Sequence, residues 1–196
     1  MAQLSSRPEK CVGVVQELHD AVVDHKKCAA LICPAGVALL ARLSRSDDTL
    51  VARPAASTLH TVAKKAHATD REALCALGVL PVLRLLARHG DAEIQRITTA
   101  TIACLCLHQR LHTRLISEGL VSSLLVLVHS SDHDVQRHAA KALSHLAVDS
   151  DIKRRLLTDP ALSKLVDAAP TSNDESESGP AVYLSLIKQR AKSRGV

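Results

Sequence analysis

The sequence predicts an all-α fold, a right-handed α-solenoid (an alpha-alpha superhelix) of about four three-helix repeats. Two observations predict it. A helical pattern returns at near-constant spacing: Val135–Leu146 reads like Ile94–Leu105 after 41 residues, Ile94–Leu105 reads like Val51–Val62 after 43, and Tyr183–Ile187 reads like Ala142–Leu146 after 41. Each copy sets apolar residues at steps of three and four, which is one face of a helix and not the alternation of a strand. The second observation is a core vocabulary almost without aromatics, with one Tyr and no Trp or Phe. Leu, Val, Ile and Ala must fill the interior, and such small aliphatic side chains suit closely stacked helices.

The elements follow in order. Residues 1–26 read as an N-terminal capping helix, with Val15, Leu18 and Val22 on one stripe that covers the first repeat. The repeats are expected over residues 27–65, 66–106 and 107–147, with a degenerate fourth over 148–196. Within each, a glycine at Gly36, Gly78 or Gly119 marks the corner between a short first helix and a second one, and Pro160 takes that place in the fourth. A polar turn precedes every third helix: Ser46-Asp47-Asp48, Gly90-Asp91, Ser130-Ser131-Asp132 and Thr171-Ser172-Asn173-Asp174. Side-chain oxygens there are expected to cap the helix that follows. In the last unit an acidic, serine-rich turn over residues 171–180 replaces the first turn of the third helix, ahead of a C-terminal helix. A chain of 196 residues is expected to form one folding unit.

A unit of about 41 residues with a short helix, a glycine, a helix reading Gly78-Val79-Leu80-Pro81-Val82-Leu83-Arg84-Leu85-Leu86, an Asp-containing turn and a third helix ending Ala142-Leu143-Ser144-His145-Leu146-Ala147 resembles the armadillo repeat. The resemblance covers roughly residues 27 to 190. HEAT repeats are the nearest rival, and the three-helix unit favours armadillo. The resemblance implies a concave face lined by the third helices. It also implies an Asn ladder near their ends in peptide-binding members, often with a Trp one turn earlier. Here Thr61, Cys104, His145 and Leu186 stand at the ladder position, and Ser57, Ala100, Lys141 and Tyr183 at the Trp position. Without amides to hold an extended backbone, a helix or a folded subunit is the expected kind of partner.

Charge adds little to this. A formal net charge of +5 invites phosphate, but 25 basic residues are set against 20 acidic ones and no aromatics are interleaved for base stacking. The cysteines at 11, 28, 33, 75, 104 and 106 lie inside apolar helical patterns and read as reduced, buried thiols. With no long apolar run and no typical transit peptide, the expectation is a soluble intracellular protein. A cytoplasmic setting, cytoskeletal or ciliary included, is favoured, and a mitochondrial one is left open.

Candidate partner-binding residues are Arg53, Ser57, Thr61, Arg96, Ala100, Cys104, Arg137, Lys141, His145 and Tyr183. Arg53, Arg96 and Arg137 repeat at one position near the start of each third helix. They read either as a clamp for acidic groups or phosphates, or as edge residues paired locally with Asp48, Glu93 or Asp134. His108 and His112 are four apart, and His129, His133 and His138 cluster around a turn, but no third ligand stands at a diagnostic distance and HExxH is missing. Cys104 and Cys106 do not form a CxxC pair. No glycine-rich phosphate loop or nucleophile elbow occurs, so no catalytic residue, cofactor or metal is expected. The reading is a non-catalytic protein-binding scaffold, an architectural subunit of a larger assembly. The alternative is a nucleic-acid-binding solenoid using the Arg column together with Arg84, Arg88, Arg110 and Arg114.

Overall fold

Polar turns and glycines cut the chain into helices short enough to stack. The computed structural model describes residues 30–148 and, singly, residues 13, 17, 152, 154, 158, 183, 185, 186, 187 and 189. Among the described residues the elements run α1 (Pro34–Leu43), α2 (Thr49–Lys65), α3 (Ala68–Ala76), α4 (Val79–Leu86), α5 (Ala92–Cys106), a 3-10 turn (Gln109–Leu111), α6 (His112–Ser117), α7 (Leu120–Leu127) and α8 (His133–Leu146). α3, α4 and α5 are one complete three-helix repeat; α6, α7 and α8 are another. α1 and α2 are the second and third helices of the repeat before them. The N-terminal capping helix, the turn at 171–180 and Pro160 lie outside the described residues.

The corners are made by backbone chirality. Gly78 has φ 89° and Gly119 has φ 76°, a left-handed conformation that opposes any Cβ, and each ends a first helix and starts a second. Gly36 is different. It lies inside α1, buried, and its φ is not positive. A Cβ added there would run into the Leu31 carbonyl, so glycine is needed for close approach and not for a turn. The corner of that repeat is instead made by Cys33, whose extended backbone and Sγ cap the Gly36 amide, followed by Pro34 at the first helical position. In burial register Ala35, not Gly36, is the counterpart of Gly78, because buried Gly36, Val37, Leu40 and Leu43 match buried Val79, Leu80, Leu83 and Leu86.

The polar turns cap as their composition predicts. The Asp48 side chain accepts from the Leu50 amide at 2.9 Å, Asp91 Oδ1 from the Ile94 amide at 3.0 Å, and Asp132 Oδ1 from the Asp134 and Val135 amides at 2.9 and 3.1 Å. Each turn is closed a second time, two residues upstream. The amides of Asp48 and Asp132 donate to Ser46 Oγ and Ser130 Oγ, and in the middle turn the Asp91 amide donates to His89 Nδ1 at 3.0 Å. That bond leaves the His89 ring proton on Nε2. The composition of the turn, read as Gly90-Asp91, missed His89.

The chain divides into two compact units, residues 1–101 and 102–196, and the division falls within α5. In a stacked array each repeat is buried mainly by its neighbours, so each unit has its own packed clusters. In the first unit α1 packs on α2 and on α4, and α3 on α4. Ala41, Ala52, Val82, Leu86 and Ile94 form one cluster and Leu43, Val51 and Ala55 another, closed by Leu39. In the second unit α7 packs on α6 and α8, with Leu115, Leu120, Leu124, Val135, Ala139 and Leu143 fully enclosed. Ala52, Ala55, Ala139, Ala140 and Ala142 on the third helices are fully buried, and small side chains at such positions permit close helix packing. No helix among the described residues is long and apolar enough to cross a membrane.

Candidate functional site

The third helices carry a regular stripe. Arg53, Arg96 and Arg137 are each the fifth residue of α2, α5 and α8; Ser57, Ala100 and Lys141 are each the ninth; Thr61, Cys104 and His145 are each the thirteenth. Steps of four keep the three positions on one face of each helix. Every one of these residues is half-buried except Arg53, which is exposed. Flanking positions are sealed: Val51, Ala52, Ala55, Ala56, Leu59 and Val62 on α2, and Val135, Ala139, Ala140, Ala142, Leu143 and Leu146 on α8. The stripe therefore lies on the accessible side of helices whose other side is core.

In the first unit, Thr61 donates its hydroxyl proton to the Ser57 carbonyl at 2.9 Å, so its oxygen keeps only acceptor capacity toward a ligand. Arg53 reaches across one repeat to Asp91: Nη2–Oδ2 is 2.5 Å, and Nε lies 3.1 and 3.2 Å from the two carboxylate oxygens. The expected local partner, Asp48, is not the one used. Asp48 spends its side chain on the Leu50 amide, whereas Asp91 can cap α5 through Oδ1 and still present Oδ2 to the guanidinium. The Arg53 side chain is 52% exposed and that of Asp91 12%. The hydrogen bond from Arg53 and then the one from the Ile94 amide hold the Asp91 carboxyl below the ordinary carboxylate range; the same contact raises Arg53 further. Arg96 pairs with Glu93 at 2.5 Å, one turn away on α5.

His60 adds a polar contact that sequence reasoning missed. Its Nδ1 lies 3.1 Å from Thr101 Oγ1, and Thr101 gives its own proton to the Ile97 carbonyl at 2.7 Å. The hydroxyl oxygen must then accept, which puts a proton on His60 Nδ1. The only signal was polarity on an otherwise apolar stripe.

In the second unit, Arg137 pairs with Asp134 at 2.6 Å. Lys141 Nζ stands 5.9 Å from the centre of the Tyr183 ring, a cation–π contact that uses the sole aromatic of the chain. Two residues four to five tens apart in sequence, each drawn from the repeat register, thus meet. His138 lies beside this stripe, half-buried; burial first, and then the neighbouring Arg137 charge, push its pKa below the ordinary value, while Asp134 acts the other way. The three arginines of the column, read as a clamp or as ion pairs, each hold a carboxylate of the chain itself.

No group of three or more His, Cys, Asp or Glu side chains fit to hold a metal occurs among the described residues. His112 is buried and donates from Nε2 to the Cys106 carbonyl at 2.7 Å, so that nitrogen is committed to the backbone beside the 3-10 turn. Cys33, Cys75, Cys104 and Cys106 are reduced thiols; Cys75 and Cys106 are buried and Cys104 is half-buried on the stripe.

Comparison with known proteins agrees with this geometry. Residues 114–148 match the model of the armadillo/beta-catenin-like repeat, a stretch that takes in α7 and α8. No curated protein matches in sequence. Among solved structures, an engineered protein from the Northeast Structural Genomics Consortium superposes with TM-score 0.74 at 21% identity, covering 92% of this chain and 72% of that one. Computationally designed armadillo repeat proteins for modular peptide recognition give TM-score 0.77 at 19% identity, over 91% and 74%. A designed armadillo repeat protein in complex with the peptide (KR)4 gives 0.76 at 20%, over 95% and 82%. The chain has the armadillo-repeat fold.

Proposed function

We propose that this armadillo-repeat chain is a non-catalytic protein-binding scaffold that works as an architectural subunit of a larger assembly and holds its partner on the third helices. The observation that carries the reading is the stripe itself: positions five, nine and thirteen of α2, α5 and α8 stay accessible on helices whose opposite side is core. A repeated accessible edge on successive helices of one register is suited to an extended or helical ligand. Designed neighbours of the same fold are made for peptide recognition, and one holds a (KR)4 peptide. The chemistry here differs from a site for basic peptides. Arg53, Arg96 and Arg137 are already paired with Asp91, Glu93 and Asp134, so Lys141 beside Tyr183 is the cation the stripe offers, and Thr61, Cys104 and His145 replace amides that could bind an extended backbone. A helix or a folded surface with small apolar and acidic groups fits better.

The experiment is co-purification from native material with mass spectrometry, followed by the same measurement on Lys141→Glu with Tyr183→Ala. The expected result is one partner set recovered with the native chain and lost with the double variant, with helical circular dichroism unchanged. A chain that emerges alone, or a partner set indifferent to the substitutions, ends this reading. Nucleic acid is separated by salt: phosphate binding weakens steeply as salt rises, whereas an aliphatic protein interface changes little.

A further inference from the structure

The second helices of the first unit carry a surface of another kind. α1 and α4 pack on each other, and Ala41 of α1 shares a cluster with Val82 and Leu86 of α4, which brings their C-terminal ends together. Arg42 and Arg45 stand at one end, Arg84 and Arg88 at the other, and all four are exposed. The helical turn continues past both helices, since the Arg45 amide donates to the Arg42 carbonyl at 3.2 Å and the Arg88 amide to the Leu85 carbonyl at 3.1 Å. No Asp or Glu occurs anywhere in residues 31–46 or 73–90. Arg45 turns its Nε back to the Ala41 carbonyl at 3.0 Å. Arg42, Arg84 and Arg88 meet no carboxylate among the described residues, in contrast to Arg53, Arg96 and Arg137. Between them Leu85 is 54% exposed, and Pro81, one turn earlier, is exposed as well.

We propose that this face, distinct from the third-helix stripe, docks an acidic segment of a protein partner, with carboxylates on Arg42, Arg84 and Arg88 and an aliphatic side chain on Leu85. Charge complementarity names the sign of the occupant, because guanidiniums without internal partners take carboxylates in two-pronged contacts. Leu85 names its class. An exposed leucine adjacent to Arg84 and one turn from Arg88 gains by burying against an aliphatic side chain and gains nothing from a sugar-phosphate backbone, and the chain has no Trp or Phe on which bases could stack.

The test is fluorescence anisotropy of the full chain with a labelled peptide of repeated Glu-Glu-Leu units. Arg84→Glu with Arg88→Glu is expected to weaken binding by about tenfold, roughly threefold for each surface pair lost. Arg110→Glu with Arg114→Glu makes the same change of charge on another exposed pair and is expected to leave binding within about twofold. Leu85→Ser is expected to weaken the Glu-Leu peptide and leave an all-Glu peptide unchanged. Circular dichroism checks that each variant stays helical, and surface positions of this kind tolerate such exchanges. Equal weakening by the two double variants would mean diffuse charge attraction and overturn the proposal. So would absence of peptide binding by the native chain, or tighter, Arg84- and Arg88-dependent binding of oligouridylate of matched charge, which would assign the face to nucleic acid.

Discussion

Two residue types show how single positions set local structure here. Gly78 has φ 89° with nothing within 4 Å of where a Cβ would be, so alanine at this position is opposed by backbone conformation alone. Gly78→Ala is expected to cost about 1–2 kcal/mol. Gly90 also faces open space but has no left-handed φ, so Gly90→Ala is expected to stay within about 0.5 kcal/mol of the native chain. Urea unfolding of the pair, read at constant m-value, checks both. His138 supplies the pH dependence. Its pKa is lowered in the folded state by burial, then by Arg137, so below the ordinary value of 6.5 the unfolded chain takes up a proton that the folded chain resists. Stability from this group is full above that value and falls as pH drops below it. His138→Gln is expected to flatten the decline, measured by thermal unfolding from neutral pH downward; a decline of unchanged slope would show that another group causes it.

The caps are the clearest case at the scale of elements. Asp48, Asp91 and Asp132 start α2, α5 and α8, and an Asp just ahead of each apolar helical pattern was enough to place them. Replacing Asp132 by Ala removes an acceptor for two amides and is expected to cost about 1 kcal/mol. Asp91→Ala is expected to cost more than Asp48→Ala at low salt, because it also frees Arg53, and the difference should shrink as salt is added. Denaturation at two ionic strengths reads this directly, and a difference indifferent to salt would show that the Arg53 contact contributes nothing. Two features of the same elements were not legible. Gly36 reads as a corner because it sits within one residue of the repeat spacing; the close approach to the Leu31 carbonyl that requires it comes from the local path of the backbone into α1, which repeat spacing does not reveal. The local-pairing reading of Arg53 points to Asp48, five residues before it, whereas the acid it meets starts a helix in the next repeat. Local pairing is the sound guess for an arginine in a lone helix, and it succeeded for Arg96 and Arg137, but stacking brings the next turn nearer than the previous one.

At the scale of the whole chain, periodicity made the fold legible, because a pattern returning every 41 to 43 residues states which face is buried in every copy at once. The stripe of candidate residues was legible for the same reason, since its members share a register. The arginine-rich ends of α1 and α4 were not, because exposure, not spacing, sets them apart from ordinary helix-terminal cations. Packing between neighbouring repeats decides how stability is distributed. In a repeat array each unit is supported by its own packing and that of its neighbours, so damage is local. Leu143 is fully buried on α8, and Leu143→Ala is expected to cost about 2–5 kcal/mol. Hydrogen exchange should then show protection lost chiefly in α6, α7 and α8, with α1 and α2 losing much less, because their clusters of Ala41, Ala52 and Ile94 and of Leu43, Val51 and Ala55 contain no residue of α8. Protection falling by one common factor from α1 to α8 would instead mean that the helices melt as a single block, and the stacked-repeat account of stability would be wrong.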